Sequence, residues 1–352
     1  MRMVNKDYRG FIGTYTKERS KGIYTFILDT QDEKIREIKL AAELGNPTYL
    51  AISEDQEYLY AVIAGEGEGG VAAYRINSES GALTPINRMM TEGTSPCYVA
   101  VNDKNDTVLA AYYHRGQVQA HPVKPDGTLE PVSSVIQHEG SGPNKERQEK
   151  PHVHYSEFTP DGKYVVAIDL GTDQIVTYTL TEGRLAEVAS LRVRPGSGPR
   201  HLDFHPNGKY AYVMTELSNE IIVLEYNREA GSFTELQYHT TLPEDFSGHS
   251  QGAAIHVTGD GRFVYVSNRG HNSIAVFAIE ESTGKVHLVE HVSTEGNWPR
   301  DFVLDPSEQY LICANERSHN LTLYKRDRET GRLSVLQKDV QAPEPVCVKF
   351  LK

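Results

Sequence analysis

Residues 198–214, GPRHLDFHPNGKYAYVM, read as a short apolar strand, a turn built on Pro206-Asn207-Gly208 and a second apolar strand. The same order of features returns at 46–62 (NPTYLAISEDQEYLYAV), 95–111 (SPCYVAVNDKNDTVLAA), 150–168 (KPHVHYSEFTPDGKYVVAI), 251–267 (QGAAIHVTGDGRFVYVS) and 298–314 (WPRDFVLDPSEQYLICA). These copies start at Pro47, Pro96, Pro151, Pro199, Gly252 and Pro299, a period of about 50 residues. Each is followed by a polar turn, a third strand and a turn of the type SESGALTPI (78–86), REAGSFTEL (228–236) or RETGRLSVL (328–336) that leads into a fourth. One copy is thus one small antiparallel sheet.

A seventh copy enters without its opening strand, at FIGTYTKERSKGIYTFIL (11–28), while the last residues, EPVCVKFLK (344–352), form an opening strand with nothing after it. Joining the two closes a ring. The expected fold is therefore all-β, a single seven-bladed propeller over residues 1–352 whose C-terminal strand completes the N-terminal blade. Closure protects edges that an open array of hairpins would leave unpaired. Loss of the tail should destabilise the whole ring.

Composition agrees with many short strands and turns: the 352 residues include 29 Gly, 17 Pro and 20 Tyr, and 38% are hydrophobic. A formal charge of −12 argues against nucleic acid as a partner, because phosphate recognition through the bulk field needs a basic face. An anionic ligand must instead meet a local cationic pocket. Cys97, Cys313 and Cys347 lie far apart and form neither a disulfide framework nor a zinc-knuckle spacing. The start, MRMVNKDYRGFIGTYT, lacks the apolar core of a secretory signal, and no apolar run approaches a membrane span. These features lead us to expect a soluble cytoplasmic protein.

Some chemical-looking motifs fail on context. Gly248-His249-Ser250-Gln251-Gly252 matches a nucleophile elbow, but a polar loop precedes the serine and a strand follows it. Gly65 to Gly70 joins two strands and carries Glu66 and Glu68, which would repel a phosphate. His152 and His154 alternate as two metal ligands might, yet no third ligand can be placed, so no metal or other cofactor is expected.

The repeat allows equivalent positions to be compared. Six residues before the turn proline, or its equivalent, stand Thr48, Tyr98, His154, Arg200, Ala253 and Arg300, opening each innermost strand at one end of the channel. The second strand returns to that end. Its closing residues are Ala64, Tyr113, Leu170, Glu216, Arg269 and Glu316, which sets Arg200 against Glu216 and leaves room beside Ala253. His154, Arg200, Glu216, Arg269, Arg300 and Glu316 should then crowd one mouth, with the long insertions at 137–150 and 240–252 as candidate walls. Such a cluster is either an ion-pair network that ties blades together or a site in which arginines hold an anion while His154 or Glu216 moves a proton. His201 and His256 read as structural, since alternation turns His201 away from the channel.

At GPRHLDFHPNGKYAYVMTELSN, PEDFSG, AAIHVTGDGRFVYVSNRGHNSIAVF and WPRDFVLD the sequence resembles the seven-bladed propeller lactonases, a family that includes propeller-type 6-phosphogluconolactonases and the fungal carboxymuconate-cyclising enzyme. The resemblance spans nearly the whole chain. It implies a channel-mouth site using His154, Arg200, Glu216 and Arg269 as catalytic residues, with Arg300, Glu316, Tyr98 and His152 binding substrate, and with His152 as a second candidate histidine. It further implies cofactor-free hydrolysis of a small anionic sugar lactone, foremost 6-phospho-D-glucono-1,5-lactone of the pentose phosphate pathway. Two alternatives stand beside it: a cycloisomerase that closes a lactone from a muconate-type diacid, and a non-catalytic binding propeller. The last lacks the Trp-Asp signature of scaffold repeats, since Trp298 is the single tryptophan.

Overall fold

In a computed structural model, which describes residues 7–352, the repeats become seven antiparallel sheets of four strands each around a central channel. No helix among the described residues is long and apolar enough to cross a membrane. Second strands such as Phe263–Arg269 and Tyr310–Asn315 are buried along their whole length. Each is covered by a neighbouring blade on both faces, so it reads as an apolar run and not as an alternation. Outer strands such as Arg184–Arg192 are mostly exposed and carry the polar residues.

The ring closes as the repeat requires. The C-terminal strand Pro345–Phe350 pairs antiparallel with Asp7–Thr14, in the register Gly10 to Phe350, Ile12 to Val348 and Gly13 to Cys347, inside a sheet completed by Gly22–Asp29 and Lys34–Glu43. Just ahead of that strand, the Glu344 carboxylate accepts the backbone N–H groups of Lys17, Glu18, Arg19 and Ser20 at 3.0–3.1 Å. Burial alone would raise its pKa, but these donors hold the carboxyl below its ordinary value. The C-terminal strand is thereby held in the N-terminal blade by an ionised side chain as well as by a ladder.

Tight turns join the first two strands of the six blades other than the closing one, all at one end of the channel. Gly261, at φ +69, occupies such a turn; a Cβ there would meet the His205 ring at 2.5 Å, and its carbonyl lies 2.9 Å from His205 Nε2. The opposite end receives the connections between blades, including both long insertions.

At that loop-bearing end the innermost strands open on a β-bulge. Register shifts fall between Val153 and Tyr155, between Pro199 and His201 and between Pro299 and Asp301, so His154, Arg200 and Arg300 are the extra residues. A bulge breaks the two-residue alternation and lets neighbouring side chains share a face. Here it has a consequence that corrects the expectation for His201. Its ring lies inside the channel, 5.1 Å from the His154 ring, 5.2 Å from Tyr98 and 5.9 Å from Tyr49. Tyr49, Tyr98 and Tyr155 stack beside it, with centroids 4.0 and 4.7 Å apart, and form an aromatic plug across the channel.

Tyr98 therefore does not stand at the mouth. In the copy that starts at Pro96 the first turn is bonded from Asn102 to Thr107, as the turn of the copy starting at Pro199 is from His205 to Tyr210. Counting back from each puts Cys97, and not Tyr98, at the position of Arg200. Tyr98 belongs to the plug, and its hydroxyl points to Glu157 at the far end, at 3.4 Å.

Candidate functional site

The mouth at the bulged end opens on a cavity of about 680 Å³. Its wall includes His154, Glu216, Arg269, Arg300 and Glu316, as the comparison of repeats required. Arg200 lies directly beneath, against a small chamber that it shares with His154 and His201. Five cations, Lys17, Arg147, Arg269, Arg300 and Arg317, line the cavity against the two carboxylates Glu216 and Glu316. A protein of charge −12 thus carries a local surplus of positive charge in its channel mouth.

Glu216 is the centre of this charge. Its Oε2 lies 2.7 Å from Arg269 Nη2 and 3.2 Å from Arg200 Nε, and its Oε1 accepts from Arg147 Nη2. Burial would raise the carboxyl, yet Arg269, Arg200 and Arg147 together hold it well below the ordinary range. Both buried guanidiniums are also tied to backbone: Arg200 Nη1 donates to the Ala253 carbonyl at 2.8 Å and Arg269 Nη2 to that of Gly252 at 2.6 Å. The space beside Ala253, expected to be left for a ligand, holds a guanidinium instead. Burial, with Arg269 and Arg300 nearby, pulls Arg200 down to about 9, which leaves it cationic at neutral pH.

His154 has the opposite character. Burial first, then Arg200 and Arg300, push its pKa well below the ordinary imidazole value, so the ring is neutral at pH 7. Its Nδ1 is buried and has no protein partner. A neutral imidazole keeps a lone pair, whereas the Glu216 carboxylate is occupied by three guanidiniums.

His152 does not join it. The strand begins only at Val153 and bulges at His154, so the expected alternation of the two histidines does not exist. His152 packs flat on Tyr113 with ring centroids 4.3 Å apart, its Nδ1 3.1 Å from the Tyr113 carbonyl and its Nε2 3.1 Å from Glu149. It does not line the cavity and has no nitrogen free for substrate. Among the described residues no three His, Cys, Asp or Glu side chains converge as metal ligands. Ser250 donates its hydroxyl to the Arg269 carbonyl at 3.0 Å and precedes a strand, as expected of a structural serine.

Both long insertions reach the mouth. Buried Gln148 pins the first: its Nε2 donates to the Leu170 carbonyl at 2.9 Å, and its backbone carbonyl accepts from Gly142 at 2.9 Å. That pin sets Arg147 over the cavity, where it meets Tyr113 and Glu216. The second insertion supplies His249 and Gln251. Sequence reasoning missed Arg147, because an irregular insertion has no repeat equivalent. It also missed Tyr15, although extending the second-strand row to the first blade finds it: Tyr15 donates its N–H to Glu344 as Glu216 does to Gly198. Trp298, next to the bulge at Arg300, carries Arg317 at 3.5 Å from its ring centroid.

Comparison with known proteins agrees with the propeller fold. The family model described as lactonase, seven-bladed β-propeller, matches residues 9–350. A Bacillus subtilis protein named 6-phosphogluconolactonase is 56% identical over 344 residues, 98% of each chain. A Lactobacillus plantarum crystal structure superposes with a TM-score of 0.95 at 42% identity, covering 99% of this chain and 100% of the other. The periplasmic gluconolactonase of Pseudomonas aeruginosa superposes at 0.93 with 32% identity, over 99% of each chain.

Proposed function

The chain belongs to the seven-bladed β-propeller lactonase family, and from that premise we propose that it hydrolyses 6-phospho-D-glucono-1,5-lactone to 6-phosphogluconate at the bulged channel mouth. The observation that carries this reading is the pairing of a neutral, buried His154 with a surplus of cavity-lining cations. A lactone needs a base to activate water and a positive field where the carbonyl oxygen becomes an oxyanion.

In the proposed reaction, water attacks the lactone C1 and gives its proton to His154. The resulting oxyanion and the substrate phosphate are held by Arg147, Arg300, Arg317 and Lys17, whose charges face the cavity. Collapse of the tetrahedral intermediate breaks the bond from C1 to the ring oxygen, and the imidazolium returns its proton to that oxygen. Atoms and charge balance without a cofactor. Arg200 and Arg269, tied to Glu216 and to backbone carbonyls, shape the field and are not the grip itself. Glu216, with its pKa held low, anchors the arginines and is a poor base. The dianionic phosphate would also raise the His154 pKa toward the working pH, so binding activates the base.

The test is the rate at which purified protein opens 6-phosphogluconolactone, followed by acid release against the spontaneous background. A rate far above background, unchanged by EDTA and lower for unphosphorylated gluconolactone, is the expected result. Wild-type protein no faster than background would overturn the reading.

A further inference from the structure

Below the cavity lies a separate chamber of about 40 Å³, walled by His154, Arg200, His201, Tyr49, Thr48 and Cys97 among others. Two buried imidazole nitrogens there have no protein partner: His154 Nδ1 and His201 Nε2. Their rings are 5.1 Å apart between centroids and inclined at 63°. His201 is 6% exposed and His154 likewise, so neither nitrogen reaches bulk water to satisfy itself. The chamber exceeds the roughly 10–15 Å³ that one water needs, and its walls are polar.

We propose that His201 is a positioning residue for the reaction: a water held in this chamber accepts a hydrogen bond from His154 Nδ1 and donates one to His201 Nε2. The inference rests on the assignment of His154 as the base. With its proton held on Nδ1, His154 presents the Nε2 lone pair to the cavity, where the attacking water must be deprotonated. The tautomer of a catalytic histidine is set by the hydrogen bond that its other nitrogen makes.

A purely structural role does not account for His201. The plug around it is made of tyrosines, and an aromatic hydrocarbon would fill the same place without leaving a nitrogen unpaired. Burial, then Arg200 and His154, keep its pKa well below the ordinary value, with Lys349 and His256 adding to the same effect from the far end. His201 therefore stays neutral and keeps the lone pair that the relay requires.

The test compares His201→Phe and His201→Asn with wild type and His154→Ala, by steady-state hydrolysis of 6-phosphogluconolactone across about pH 5 to 8. His201→Phe should lose about tenfold to a hundredfold in kcat with KM within about twofold, the range seen when a partner that orients a catalytic ligand is removed. Its acid limb should move to lower pH, because the His154 imidazolium loses the acceptor chain that stabilises it. His201→Asn, which keeps a polar group, should recover part of both. A folded His201→Phe with wild-type kcat and an unmoved acid limb would overturn the proposal, as would equal losses in the two variants with no shift of the limb. If the Phe variant does not fold, the limb of the Asn variant decides in the same way. Full activity in His154→Ala would instead break the functional reading on which the inference stands.

Discussion

Two carboxylates sit at opposite ends of one channel and respond to enclosure in opposite ways. Glu216, at the loop-bearing mouth, is held well below the ordinary carboxylate range. Glu157, at the turn-bearing mouth, is pushed up to about 7. Burial is the largest influence on both and favours the neutral form in each case. What differs is the company. Glu216 meets Arg269, Arg200 and Arg147, whereas Glu157 has the Phe158 N–H, a distant Lys349 and the Tyr98 hydroxyl, with Asp203 opposing them. Glu216 is the more deeply buried of the two yet keeps its charge, so partners and not depth decide which enclosed acids ionise.

The backbone explains why the partners gather at one end. The turn-bearing mouth is closed by tight turns that leave no chain to spare. The other mouth receives bulged strand starts, second-strand ends and both insertions, so cations converge there from several blades.

The severest way to break the comparison is to remove the strand that both mouths share. A chain ending at Pro343 loses Lys349 from one mouth and the Glu344-anchored closure near the other. We expect it to give no cooperative unfolding transition by circular dichroism, since the first blade is left with an open edge.

Within the intact ring, His154→Ala should lower kcat by about a hundredfold to ten-thousandfold, the usual contribution of a positioned base, while the denaturation midpoint changes little beside that loss. Steady-state kinetics with a melting curve on the same sample check it.

Glu216→Gln should destabilise by about 3–5 kcal/mol in urea titrations, because it leaves Arg200 and Arg269 buried without their counter-charge. Its pH dependence has a definite sign. A carboxyl whose folded pKa is depressed stabilises above its unfolded value, near 4.5, and loses that contribution as pH falls through the folded value. Wild type should therefore weaken in acid below about pH 4.5, and the variant less so.

Glu157→Gln should have the smallest effect, with kcat unchanged. The Glu157 pKa is raised from 4.5 to about 7, so the folded state binds more protons than the unfolded one between those values. Its contribution to stability is fully present below about pH 4.5 and is lost as pH rises through 7. Denaturation midpoints across that window should fall in wild type and flatten in the variant. If the two Glu→Gln variants behaved alike, the contrast between the mouths would collapse.

Much of this architecture is legible in the sequence. The period of about 50 residues, the missing first strand and the orphan last strand define seven blades and their closure. The equivalence of repeats also brought His154, Arg200, Glu216, Arg269, Arg300 and Glu316 to one mouth, because each occupies a recurring place in a recurring hairpin. The errors fall where the period stops carrying information. Strict alternation turns His201 away and His152 in, but a β-bulge interrupts it, and counting from a turn that lacks proline puts Tyr98 one residue off, where Cys97 stands.

The ring, its closure and the charged character of its mouth follow from hydrophobic pattern and repetition alone. That Arg147 completes the grip on Glu216, that His152 faces Tyr113 and that His201 meets His154 inside the channel emerges only from how the chain packs. The reason is physical. Repetition specifies what each blade does to itself, whereas these contacts join an insertion to a distant blade or depend on one extra residue in a strand, and neither has a counterpart in the repeat from which to read it.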